Sequence, residues 1–70
     1  SARGRADAVV KTPDQIYVFE FKLNGTAEQA LQQIDDRGYL IPYLADGREI
    51  VKVGVEFSAE TRNISRWLVE

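Results

Sequence analysis

Apolar residues along this chain recur with two different periods, and the change of period divides it into elements. Ala6 to Lys11 reads as a short first strand, followed by the turn Thr12-Pro13-Asp14-Gln15. Proline presets φ for the second position of a type I turn, and aspartate favours the turn as well. Ile16 to Lys22 is rich in β-branched and aromatic residues and predicts a second strand, which Asn24-Gly25 breaks. The period then becomes helical. Thr26 is a good N-cap, Gln29 completes a capping box, and Ala27, Ala30, Leu31 and Ile34 form one apolar stripe. Gly38 suits the C-terminal stop of that helix, and Pro42 confines Tyr39 to Leu44 to an irregular turn. After the turn Ala45-Asp46-Gly47-Arg48 comes a third strand, Glu49 to Phe57, with apolar residues on both faces, as a central, covered strand requires. A fourth strand is expected at about Asn63 to Val69. Strand, crossover helix and strand predict a right-handed β-α-β unit, so the fold class is α/β, an antiparallel hairpin feeding a mixed sheet.

Composition narrows the chemistry. Seventy residues make one small domain. With no cysteine and no histidine, disulfide frameworks, thiolate metal sites, the usual zinc centres and Ser-His-Asp or Cys-His catalysis are excluded. Metal chemistry here would use oxygen ligands, which suit Mg²⁺, Mn²⁺ or Ca²⁺. A formal charge of −2 gives no global attraction to nucleic acid, so phosphate contacts would fall to local arginines: Arg3, Arg5, Arg37, Arg62 or Arg66, with Arg5 the best placed. Trp67 and the aromatic residues of the second strand are expected in the core. No membrane span or secretory leader is visible, and the expected setting is cytoplasmic.

The second strand holds the unusual residues. Its alternation puts Ile16, Val18, Glu20 and Lys22 on one face and Tyr17, Phe19 and Phe21 on the other. A carboxylate and an ammonium on an apolar strand cost free energy unless paired or bound to an ion. If Pro13 and Asp14 form a two-residue loop, Val9 faces Val18 and Asp7 faces Glu20, with Cβ atoms roughly 5 Å apart. Two-residue hairpins prefer φ > 0, which proline cannot adopt, so a bulge or longer loop would shift this register by one residue. Without a cation the arrangement reads equally as a cross-strand salt-bridge cluster on a solvated face.

Gly4-Arg5-Ala6-Asp7 followed by Glu20-Phe21-Lys22 resembles the D…E-x-K signature of the PD-(D/E)XK nuclease superfamily, the restriction-endonuclease-like fold. Ala30-Leu31-Gln32-Gln33-Ile34, with Tyr39 and Tyr43 after it, is similar to the branch found behind bacterial AAA-ATPase-like domains. The resemblance implies that Asp7 and Glu20 bind Mg²⁺ (or Mn²⁺), with the backbone carbonyl of Phe21 a further ligand. It implies that Lys22 positions the attacking water or stabilises the charged transition state. It also implies that Gln33 supports that water or the substrate backbone. Arg5 and Arg37 are the nucleic-acid candidates. The implied activity is metal-dependent hydrolysis of nucleic-acid phosphodiesters, DNA being the expected partner. A catalytically degenerate interaction or nucleic-acid-binding module of an ATPase-linked protein is the alternative, with homo-oligomerisation through exposed sheet edges. The family's opening helix and most of its first strand have no counterpart here, so the expectation is a C-terminal piece of a longer protein.

Overall fold

The computed structural model describes residues 4–70. It contains β1 (Ala8–Lys11), β2 (Gln15–Leu23), α1 (Ala27–Asp36), a 3-10 turn (Ile41–Tyr43), β3 (Glu49–Ser58) and β4 (Asn63–Val69). The sheet order is β1-β2-β3-β4. β2 and β3 run parallel across the α1 crossover, and both outer strands pair antiparallel to their neighbours. This is the mixed α/β architecture that the change of period predicts. Among the described residues no helix precedes β1, and no helix is long and apolar enough to cross a membrane.

The hairpin adopts the expected two-residue loop, with Val9 against Val18. Neither Pro13 nor Asp14 needs a positive φ, a conformation found in non-glycine residues at Asn24 and Arg62 among the described residues. Thr12 resolves the conflict. Its Oγ1 accepts the Gln15 N–H at 2.9 Å, work that a backbone carbonyl would otherwise do. The freed Thr12 carbonyl accepts from Arg48 Nη1 at 3.1 Å.

Helix α1 starts as its sequence dictates. Thr26 Oγ1 accepts the Gln29 N–H at 3.0 Å, and Gln29 Oε1 accepts the Thr26 N–H at 2.9 Å. Glu56 of β3 takes the Ala27 N–H at 2.9 Å, tying the helix start to the sheet. The apolar stripe Ala27, Ala30, Leu31 and Ile34 packs on the face of β2 that carries Ile16 and Val18, and these residues with Tyr39 form the core. Close packing depends on Gly54, opposite Glu20 in the parallel register. A Cβ there would lie 2.4 Å from the Ala27 carbonyl oxygen.

The expectation that Trp67 and the β2 aromatics are core is corrected. Trp67 is 64% exposed and Phe21 44%. β3 is central, as its sequence requires, but α1 covers one face of the sheet. On the other face Tyr17, Phe19, Val53, Val55, Ile64 and Trp67 line an open apolar groove of about 430 Å³. β4 lies at the sheet edge, so its residues on that face have neighbours on one side only.

Candidate active site

β2 places Glu20 and Lys22 two residues apart, both beneath α1. Glu20 is 2% exposed, as deeply buried as the aliphatic residues around it. Its Oε2 accepts from Gln33 Nε2 at 2.6 Å, while Oε1 is buried with no hydrogen-bond partner of normal geometry among the described residues. Burial pushes the Glu20 carboxyl pKa above its ordinary value, and the negative charge of nearby Asp7 pushes it further, with Lys22 offsetting part of the rise.

Asp7 reaches the site by a route that the simple register does not give. The ladder would set it squarely against Glu20 if it continued, yet β1 begins at Ala8. The Asp7 N–H donates to the Phe19 carbonyl at 3.2 Å, and its Oδ2 accepts the Phe21 N–H at 2.9 Å. The carboxylate thus caps the hairpin edge where the backbone ladder stops, a local kink that re-aims a side chain. Phe21 meets Asp7 through its backbone N–H, and its ring is on the opposite face. Strand geometry turns its carbonyl to the same edge as its N–H, toward Asp7.

Gln33, on α1 and partly buried, joins the two motif residues of β2. Its Nε2 donates to Glu20 and its Oε1 accepts from Lys22 Nζ. The polarity is forced, because the reversed amide would set its carbonyl against a carboxylate and its NH₂ against an ammonium. Asp7, Glu20, Lys22 and Gln33 are therefore brought together. Arg5 and Arg37 are exposed at the margins, Arg5 two residues ahead of Asp7 and Arg37 one turn beyond Gln33. Arg66 is committed elsewhere: it bridges Glu28 at 2.6 Å and Glu56 at 2.7 Å, pinning β4 to the start of α1. Arg62 lies in the connection before β4, and Arg3 lies outside the described residues. One contact was not legible in the sequence: the Tyr39 hydroxyl lies 3.5 Å from Gln33 Nε2. Gly38, as a helix stop that reverses the chain, was the signal for it.

The donor set fits a hard divalent cation in chemistry. Two carboxylates, Asp7 and Glu20, lie near enough for the charge of one to raise the pKa of the other, and one buried Glu20 oxygen is unsatisfied. No three or more His, Cys, Asp or Glu side chains are grouped so as to hold a metal ion among the described residues, so protein carboxylates would furnish two ligands and solvent or substrate the others.

The model of the PD-(D/E)XK nuclease superfamily matches residues 1–67. A curated relative, an uncharacterized protein in the vnfD 5′ region of Azotobacter chroococcum mcd 1, is 42% identical over 72 residues. That alignment covers all of this chain and 14% of the relative's length. No solved structure matches significantly.

Proposed function

The chain belongs to the PD-(D/E)XK nuclease superfamily, and on that premise we propose that it is the catalytic core of a divalent-metal-dependent nuclease hydrolysing phosphodiester bonds, with DNA as first candidate substrate. The observation that carries the reading is the buried Glu20 carboxylate beside Asp7, with one oxygen unsatisfied. Such a group is expensive to ionise unless a cation neutralises it.

Asp7, Glu20 and the Phe21 carbonyl would hold Mg²⁺ or Mn²⁺. A cation held there supplies Lewis acidity toward a phosphate oxygen and toward water. Lys22 presents an ammonium two residues from Glu20 on the same face, suited to hydrogen-bond an anionic phosphoryl oxygen or orient the attacking water. Gln33 fixes Lys22 relative to Glu20, so that neither side chain needs to reorganise during the reaction. Arg5 and Arg37, exposed at the margins, would take flanking phosphates, local charge that a chain of net −2 needs. Residues Ala30 to Ile34, Tyr39 and Tyr43 support the branch found behind AAA-ATPase-like domains.

The test is incubation of the 70-residue chain with end-labelled DNA and RNA, single- and double-stranded, in Mg²⁺, Mn²⁺ or EDTA. Metal-dependent cleavage should fall by about 100-fold or more in Glu20→Ala and Lys22→Ala variants of unchanged circular dichroism. Cleavage retained in either variant overturns the assignment. Nucleic-acid binding without cleavage would instead identify a degenerate recognition module.

A further inference from the structure

Resting on the reading above, we propose that Tyr39 is a positioning residue of the site, its hydroxyl fixing the Gln33 amide that links Glu20 to Lys22. The backbone explains how a residue beyond the helix reaches back to it. Gly38 adopts φ 65° after the Arg37 cap, the Gly38 N–H donates to Asp35 O at 3.1 Å, and the Tyr39 N–H donates to Ile34 O at 3.0 Å. These two bonds make a Schellman reversal, which folds the residue after the glycine back onto the helix. Gly38 is held to glycine by its positive φ, a backbone conformation that residues with a Cβ rarely adopt.

The ring then enters the core, 2% exposed, clustered with Ile16, Val18, Leu31 and Ile34. Phenylalanine would fill that space equally well, without the cost of burying a hydroxyl. What the hydroxyl adds is an acceptor for the second N–H of Gln33. The first N–H is taken by Glu20 Oε2 at 2.6 Å, and Gln33 Oε1 by Lys22. With Tyr39 present, both faces of the amide have partners, and its rotation is tied to the rigid core beneath. At 3.5 Å the contact is long, so it acts on direction more than on stability. Tyr39→Phe should leave the fold nearly unchanged while loosening the amide.

The experiment follows the Gln33 side-chain NH₂ by ¹⁵N–¹H NMR in wild type and Tyr39→Phe, and cleavage in both and in the Gln33→Ala background. The expected result is a moved or broadened Gln33 NH₂ pair, with cleavage lowered roughly three- to tenfold. Tyr39→Phe should cause no further loss once Gln33 is alanine. An unmoved Gln33 NH₂ pair overturns the proposal whatever happens to cleavage, as does an equal loss in the Gln33→Ala background. If the wild-type chain cleaves nothing, the nuclease reading fails. The displaced NH₂ pair would still establish Tyr39 as the support of Gln33.

Discussion

A carboxylate shielded from water must gain a proton, a hydrogen-bonding partner or a cation, and Glu20 is served in part: the Gln33 amide donates to Oε2, while Oε1 is buried and unsatisfied. Its pKa is raised by burial first and by Asp7 second. A raised carboxyl pKa means that stability is fully present below the unfolded value near 4.5 and lost as pH rises through the folded value. Neutral Glu20→Gln should therefore be more stable than wild type at pH 7 in EDTA, by about 1–2 kcal/mol. The advantage should disappear below pH 4.5. Thermal melts across pH check this, and equal midpoints at pH 7 would show that Glu20 carries no charge burden. This residue was legible in advance, because a glutamate two positions from valine on an apolar, alternating strand stands out. Tyr39 was not, since its approach to Gln33 depends on the path after Gly38 and not on periodicity.

Elements place these residues through one close contact. α1 lies directly on β3 at Gly54, the neighbour of Glu20 in the parallel register, and this proximity allows Gln33 to reach down to β2. A Cβ at Gly54 would meet backbone at 2.4 Å, with Ala30 Cβ and Leu31 Cγ each at 3.1 Å. Because the nearest atom is a carbonyl oxygen of the helix, relief requires α1 to move. Gly54→Ala should destabilise the chain by about 2–3 kcal/mol in urea unfolding. It should also weaken the Gln33–Glu20 bond; wild-type stability would mean that α1 has slack over the sheet. The order and type of the elements were readable from period, caps and turn residues. The two-residue hairpin was readable too, but its device was not, because Thr12 replaces a backbone acceptor with its own hydroxyl. Nor was the kink at Asp7, where a side chain competes with the ladder.

The molecule measures 39 × 23 × 17 Å, its short axis spanning one sheet and one helix layer. The alternation of β2 and β3 is apolar on both sides, so the sequence pattern implies two covered faces. α1 covers one, which is why Trp67 and Phe21 are exposed although their residue types belong to cores. Glu20, Gln33 and Tyr39 lie on the covered face, hydrogen-bonded to one another through the Gln33 amide. Whether Asp7 and Glu20 together hold a divalent cation is read from calorimetric titration of Mn²⁺ and Mg²⁺ into the chain and a folded Asp7→Ala, Glu20→Ala variant. Saturable binding by the chain that is absent in the variant is the predicted result. Equal binding by both, or none by either, would contradict it.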